Sequence, residues 1–208
     1  MKINKPKIKY TENMLLKDLL PEEEYSNYKF TKTEEEYLEI KDNTFDSCIF
    51  EGVDFTNIEL TNIDLVDVIF DNCNLSNKNF DNKLINRVEF KNCKMIGTSF
   101  INSSLKDIEI DNCTTKYLNF SNAKINNMHI NNSNLSEASF NESDIKKIYL
   151  EKVNLNKAEF IQTKLTDIDF SDSDITNTIF DLNSLKGIVI DRFQCHHLIG
   201  MLGVKLKD

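Results

Sequence analysis

An apolar residue recurs at every fifth position from Phe45 to Ile190, without any insertion or deletion. Only Thr115 interrupts this series. A period of five fits neither an α-helix, with about 3.6 residues per turn, nor a β-strand, in which side chains alternate between two faces. Self-similarity at a fixed period over such a length is typical of solenoids, in which each repeat packs only on its neighbours. The periodicity therefore predicts a solenoid.

Two further positions of each pentad are restricted. Two residues before the central apolar residue, the side chain is mostly small or β-branched, as at Cys48, Val53 and Ala138. Two residues after it, Asn or Gly is frequent, as at Gly52 and Asn122. Asn and Gly tolerate the left-handed backbone of a tight turn. Each pentad is therefore interpreted as a short extended piece followed by a turn, with two side chains pointing inward and three outward.

The pentads resemble a known repeat. Blocks such as Ser136–Phe140 and Lys157–Phe160 are similar to the consensus A-[D/N]-L-x-x of the pentapeptide-repeat family. The resemblance implies an all-β solenoid, a right-handed, four-sided β-helix in which four consecutive pentads form one coil. When the sequence is aligned with four pentads per coil, Phe and aliphatic residues fall into separate columns, which supports the fold. One column is Phe80, Phe100, Phe120, Phe140, Phe160 and Phe180, and another is Leu65, Ile85, Leu105, Ile125, Ile145, Leu165 and Leu185.

The extent of the repeat divides the chain into three segments. We predict an N-terminal cap over residues 1–44, the β-helix over residues 45–190, and a C-terminal helix and tail over residues 191–208. A cap is expected because a solenoid has to cover its hydrophobic ends. The alternative interpretation of residues 1–44 is an arm whose acidic runs bind a partner.

Composition limits the kind of partner. The formal net charge of −9 disfavours non-specific binding to nucleic acid or to an anionic membrane. No apolar run approaches the length of a membrane-spanning helix. Pro6 and Pro21 both lie outside the repeat, where they cannot interrupt its backbone hydrogen bonds. We therefore expect a cytoplasmic protein that binds neither nucleic acid nor membrane directly.

The sequence contains no recognisable catalytic or metal-binding constellation. Cys73, Cys93 and Cys113 follow one another at intervals of four pentads and should stack in one inward column, where a free Cys acts as a small hydrophobic residue. There is no Cys-x-x-Cys motif, phosphate-binding loop or dinucleotide-binding fingerprint. His129 lies at an outward position without partners that would make a triad. We predict that the protein is not an enzyme and has no metal site and no cofactor.

Charge is distributed unevenly over the outward positions. Acidic residues flank the column that contains Phe50, Phe70 and Phe90, whereas the face of the Leu/Ile column carries Lys106, Lys124, Lys146, Lys147, Lys164 and Lys186. We predict that the acidic side binds a partner by imitating a nucleic-acid backbone. The alternative is that these charges only solvate a β-sheet surface. The predicted contact residues are Glu51, Asp71, Glu89, Glu109, Asp111, Glu151, Asp169 and Asp172.

The repeat stops after Ile190, and a strongly apolar ending follows. Asp191 is predicted as the N-cap of a short helix and Gly203 as its C-cap glycine. The apolar residues between them should cover the open end of the solenoid, join a second copy of the chain, or do both. They are Phe193, Leu198, Ile199, Met201 and Leu202.

The ending Leu185–Val204 has the form L-K-G-x-x-[IV]-x-x-x-Q-x-x-x-L-x-x-x-L-G-[VI]. It resembles the ending of the Qnr and MfpA branch of pentapeptide-repeat proteins, the quinolone-resistance type. The resemblance implies a homodimer joined end to end through the C-terminal segment, with the shape and charge of duplex DNA. It also implies binding to DNA gyrase or topoisomerase IV, and protection from quinolones. The alternative is a structural scaffold with an unrelated protein partner.

Overall fold

A computed structural model of the chain describes residues 3–31, 37–200 and 203–204. The chain folds mainly into short strands, with helical turns near both ends. The helical segments are a 3-10 helix at Leu16–Asp18, a second at Arg192–Gln194, and α1 at Cys195–Ile199. The strands are β1 (Glu12–Asn13), β2 (Glu24–Ser26), β3 (Tyr28–Thr31), β4 (Leu38–Lys41), β5 (Thr44–Asp46), β6 (Ile49–Glu51), β7 (Ile58–Thr61), β8 (Asp64–Asp71), β9 (Leu84–Lys91), β10 (Ser104–Asp111), β11 (Lys124–Asn131), β12 (Asp144–Glu151), β13 (Glu159–Phe160) and β14 (Ile179–Phe180).

Paired strands are parallel, and from β2 onward they are offset by four pentads, apart from a register shift at Asn126 between β11 and β12. β1 pairs with β3 at a shorter offset of 16 residues, from Glu12 to Tyr28. Leu105 pairs with Ile125 between β10 and β11, and the same offset relates β8 to β9 and β9 to β10. Isolated bridges, such as the one between Asn79 and Ser99, keep this offset on the other sides of the coil. Four pentads therefore make one coil, and the molecule contains about eight coils. The four-sided β-solenoid predicted from the sequence is confirmed.

Stacked phenylalanine rings fill much of the interior. In the predicted column from Phe80 to Phe180, the centroids of successive rings lie 4.7–5.4 Å apart. A second ladder from Phe30 to Phe90 has spacings of 4.9–5.2 Å. These distances are close to the usual inter-strand spacing of about 4.8 Å. Ring stacking therefore follows from the backbone register, and it adds to the energy of burial.

The corners of the coils adopt the left-handed backbone that the Asn and Gly positions predict. In one row of corners, Asn72, Asn92 and Asn112 have φ between +53° and +56°, and Gly52 has φ of +66°. Asn tolerates this conformation better than most residues with a side chain. The Asn side chains also connect successive coils, because Nδ2 of Asn112 donates to Oδ1 of Asn92 at 2.7 Å.

The solenoid begins earlier in the chain than the predicted boundary at Phe45. Tyr25 of β2 pairs with Phe45 of β5, and β3 and β4 continue the same register. Residues 24–31 and 38–41 therefore contribute to coils instead of belonging to a cap over residues 1–44. The five-residue series does continue back through Phe30 and Tyr25, but Glu35 interrupts it and conceals the first coil in the sequence.

Short segments cover both ends of the core. Leu16 of the first 3-10 helix is fully buried at the N-terminal end. At the other end, Asp191 and Gln194 form a reciprocal capping box, as the predicted N-cap requires. Nε2 of Gln194 also donates to the backbone oxygens of Phe170 and Ser173 at 3.0 and 2.7 Å. These bonds attach the C-terminal helix to the solenoid.

Candidate partner-binding surface

The predicted acidic contact residues lie on one side of the solenoid, which we call the acidic face. Outward side chains one coil apart occupy the same lateral position, because the strands are in register. Glu89 therefore stacks on Glu109, which in turn stacks on His129. In the neighbouring row, Asp71 follows Glu51 one coil further along.

Two of the predicted acidic residues are covered. Glu89 is only 3% exposed, and its carboxylate contacts Nζ of Lys5 at 3.0 Å and Nζ of Lys91. Glu109 contacts Nζ of the same Lys5 and lies 3.9 Å from Nδ1 of His129. The lysines compensate the charge of both carboxylates, which a partner could reach only after Lys5 had moved away.

The C-terminal part of the face is open. Glu151, Asp167, Asp169 and Asp172 line a surface groove, which we call the acidic groove. The side chain of Glu151 is 60% exposed. Hydrogen bonds from the hydroxyl and the backbone N–H of Ser171 lower the pKa of Asp169, so this carboxylate is ionised at neutral pH. The acidic groove therefore presents accessible negative charge.

Glu51, Asp71 and Asp111, the other predicted residues, are oriented by polar neighbours. Glu51 forms an ion pair with Lys29 at 2.8 Å. Asp71 and Asp111 accept hydrogen bonds from Asn side chains at 3.1 and 3.0 Å. All three remain at least partly exposed.

An extended basic segment lies across part of this side of the molecule. We call residues 3–9, with the sequence Ile-Asn-Lys-Pro-Lys-Ile-Lys, the N-terminal arm. Nδ2 of Asn4 donates to Oδ2 of Asp107 at 3.0 Å, and the backbone N–H of Lys7 donates to Oδ1 of Asp67 at 2.9 Å. Together with the contacts of Lys5, these bonds fix the arm over residues that follow it by 60 to 103 positions.

The arm rests on a row of corner residues, the corner ladder, formed by Asp67, Arg87, Asp107 and Asn127. Nε and Nη2 of Arg87 donate to the two oxygens of Asp67 at 2.5 and 2.6 Å, and Asn127 donates to Asp107. Burial opposes ionisation of Asp67, but the bonds from Arg87 and Lys7 outweigh it and lower its pKa. In the same way, burial opposes ionisation of Asp107, and the bonds from Asn4 and Asn127 lower its pKa.

The corner ladder and the arm were not predicted, although both have a signal in the sequence. The corner ladder places opposite charges one coil apart at corner positions, whereas Asn is frequent in the other rows of corners. Lysines alternate at Lys5, Lys7 and Lys9, so an extended backbone would carry them on one side. However, neither the charged corner positions nor the alternating lysines indicate that the arm docks on the corner ladder.

The C-terminal residues predicted for dimerisation differ in their environment. Phe193 is 69% exposed, whereas Leu198 packs against the core and Ile199 is half-buried. Leu198 therefore helps to cover the end of the solenoid, while Phe193 faces solvent. Met201 and Leu202 lie outside the described residues.

The lysines predicted on the adjacent face, from Lys106 to Lys186, are all exposed.

The cysteines of the interior, Cys48, Cys73, Cys93 and Cys113, are buried and unpaired, as expected for small core residues. Burial raises the pKa of Cys48 to about 11, which keeps its thiol neutral. Over residues 3–31, 37–200 and 203–204, no group of three or more His, Cys, Asp or Glu side chains is placed to hold a metal ion. Within the same ranges, every helix is too short or too polar to cross a membrane.

Two family models match the chain. The model of the pentapeptide repeat region matches residues 43–120 and 63–140, and the model of eight pentapeptide repeats matches residues 154–181. The two overlapping matches of the first model span residues 43–140, which are 98 residues, and the match of the second model spans 28 residues. Together they cover 126 of the 208 residues. No curated protein matches the sequence significantly.

Similar solved structures include three pentapeptide-repeat proteins of different origin. Full-length QnrB1, a plasmid-mediated fluoroquinolone resistance protein, is 20% identical, with a TM-score of 0.49 over 93% of this chain and 95% of that one. HetL, involved in heterocyst differentiation regulation in the cyanobacterium Nostoc, is 14% identical, with a TM-score of 0.45 over 89% and 92%. A protein of the Arabidopsis thaliana thylakoid lumen is 19% identical, with a TM-score of 0.28 over 57% and 78%.

Proposed function

Because the chain belongs to the pentapeptide-repeat family, we propose that it is a non-enzymatic, DNA-mimicking protein of the Qnr and MfpA type. Its target is a type II topoisomerase, DNA gyrase or topoisomerase IV, which it binds in the cytoplasm without a cofactor. The observation that carries the proposal is the acidic face, which repeats carboxylates along a regular solenoid. The apolar C-terminal ending, which resembles that of the same branch, supports it.

The spacing of the carboxylates suits a groove that binds DNA. Equivalent residues on successive coils are separated by about 4.8 Å along the solenoid axis, and the phosphates of one DNA strand rise by about 3.4 Å per nucleotide along the helix axis. The carboxylates are attached to strands and corners that hydrogen-bond to the coils on either side. At the acidic groove, a basic protein groove would therefore meet negative charges in fixed positions and would bind them without ordering a flexible chain.

The acidic groove is the part of the face best placed to test this proposal, because its side chains are open to solvent. We expect the purified protein to inhibit gyrase supercoiling at micromolar concentration, or to relieve its inhibition by ciprofloxacin. In the triple variant Glu151→Lys, Asp169→Lys and Asp172→Lys, the effective concentration should rise at least tenfold, since attraction becomes repulsion at the contact.

A control with the same change in charge separates local contact from overall charge. Glu59, Glu142 and Asp144 are exposed and lie away from the acidic face. Their joint replacement by Lys should leave the effect on gyrase within about twofold of the wild type, allowing for the change in long-range attraction. Equal losses in the two triple variants would refute a specific role for the acidic groove.

The alternative of a scaffold with an unrelated protein partner makes the opposite prediction for the same assay. If the wild-type protein changes neither supercoiling nor drug sensitivity of gyrase or topoisomerase IV, the topoisomerase proposal fails. The acidic face would then serve another protein, or solubility alone.

We further propose that the protein is a homodimer joined through its C-terminal segment. Phe193 is a large side chain in an exposed position, and an isolated monomer would leave it in water. We expect Phe193→Glu to shift the sedimentation of the full chain from dimer to monomer, because a buried charge opposes association. Leu84→Glu, at an exposed leucine of β9, should leave the dimer intact. A Phe193→Glu variant that still sediments as a dimer would contradict this interface.

A further inference from the structure

The N-terminal arm crosses three coils in an extended conformation. Asp67 and Asp107 are two coils apart, about 10 Å along the solenoid axis. The three residues from Asn4 to Lys7 span about 10 Å when they are extended. The arm therefore runs along the axis and contacts one coil after another, so its spacing matches the spacing of the carboxylates beneath it.

The contacts of the arm are those of a bound peptide. Its backbone N–H groups at Asn4 and Lys7 both face carboxylates of the corner ladder. The side chain of Lys5 reaches Glu89 and Glu109 of the acidic face. Ile3, Pro6 and Ile8 are half-buried between these polar contacts. Backbone bonds, a lysine between two carboxylates and half-buried apolar side chains between them together define a recognition pattern.

The groups that receive the arm have few other donors. Asp107 is 3% exposed and accepts from Asn4 and Asn127, and Asp67 is 5% exposed and accepts from Arg87 and Lys7. The arm itself contributes to this burial, so the docked segment must supply the donors that water would otherwise provide. The bonds from Asn4 and Lys7 do so, and together with those from Arg87 and Asn127 they satisfy both carboxylates.

We propose that the corner ladder, with Glu89 and Glu109, is a docking site for an extended lysine-containing peptide, and that the N-terminal arm occupies it in cis. A basic segment of a partner has to displace the arm before it reaches this part of the acidic face. The arm competes at a high effective concentration because it is tethered to the site. It therefore restricts binding to partners with a matching extended segment. This inference holds whether or not the partner is a topoisomerase.

The test uses a fluorescent peptide with the sequence of residues 3–11 and measures its anisotropy against full-length protein. In the wild type the tethered arm should block the peptide. In the double variant Asn4→Ala and Lys5→Ala the tethered arm loses its side-chain contacts, and the peptide should bind at least tenfold more tightly than it binds to the wild type. A peptide of the same composition in scrambled order should bind the double variant at least tenfold more weakly.

Matched variants separate occupation of the site from a change in charge. Lys9 is exposed and forms no ion pair with the part of the chain that the structure describes, so Lys9→Ala should bind the peptide like the wild type. Adding Glu89→Gln and Glu109→Gln to the double variant should abolish the gain. Circular dichroism verifies that each variant is folded. Equal binding by wild type and folded double variant, or equal binding of the scrambled peptide, would overturn the proposal.

Discussion

Replacing Phe140 by alanine should lower the free energy of unfolding by about 3–5 kcal/mol, as expected for a large aromatic core residue. Phe140 is fully buried, and its ring stacks on Phe120 and Phe160 at centroid distances of 4.9 and 4.7 Å. The neighbouring rings cannot move together to fill the gap, because the hydrogen bonds of each coil fix their spacing. Urea denaturation followed by circular dichroism measures the loss.

Leu84→Ala is the control for this experiment. Leu84 lies in β9 but is 67% exposed, so its truncation should change the free energy of unfolding by no more than about 0.5 kcal/mol. A similar, small loss in both variants would mean that the phenylalanine ladder does not hold the coils together. Because each coil packs only on its neighbours, a second probe should establish whether the Phe140→Ala variant unfolds in one step.

The second large effect is expected for Arg87→Leu, which should destabilise the protein by about 2–3 kcal/mol at pH 7. Arg87 lies between two carboxylates of the corner ladder and donates to both oxygens of Asp67. Without the guanidinium, the mostly buried Asp67 keeps the bond from Lys7 but loses its opposite charge. Thermal unfolding of the variant and the wild type measures the difference.

The destabilisation by Arg87→Leu should depend on pH in a defined direction. Although burial opposes it, the bonds from Arg87 and Lys7 lower the pKa of Asp67 in the folded protein. The contribution of the ion pair is therefore complete above the unfolded pKa of about 3.9, and it is lost as the pH falls through the lower folded value. The variant and the wild type should approach each other in stability below about pH 4.

Lys147→Leu provides the matched control, since this lysine is exposed and lies in β12 without an ion pair in the described parts of the chain. Its effect should stay below about 0.5 kcal/mol and should not change with pH. A destabilisation by Arg87→Leu that is the same at pH 7 and pH 3 would contradict the electrostatic explanation.

The fold was predictable because its information is local and repeated. The residue types at fixed positions of each pentad indicate which side chains point inward. The interval of four pentads that separates Phe from Leu and Ile is also visible in the sequence. The first coil was missed because Glu35 interrupts the apolar series. The capping role of Asp191 was predictable because a helix N-cap depends on only a few neighbouring residues.

The candidate site was predictable only in part, since its covered section depends on contacts between distant residues. Glu89 occupies an outward position in its pentad, which predicts an exposed carboxylate, yet Lys5 of the N-terminal arm covers it. No periodic pattern relates residue 5 to residue 89. Glu151 of the acidic groove is exposed, as its outward position in the pentad predicts, because only neighbouring coils surround it.

The position of the arm also has a consequence for synthesis of the protein. Asp107 follows Asn4 by 103 residues, so the ribosome completes this part of the docking site about 5–20 s after the arm has been made, at about 5–20 residues per second. Coils can form one upon another during this interval, since each needs only its predecessor. A nascent chain therefore passes through a stage with the first coils finished and the basic arm only partly held, and other acidic molecules can bind the arm before Glu89, Asp107 and Glu109 emerge.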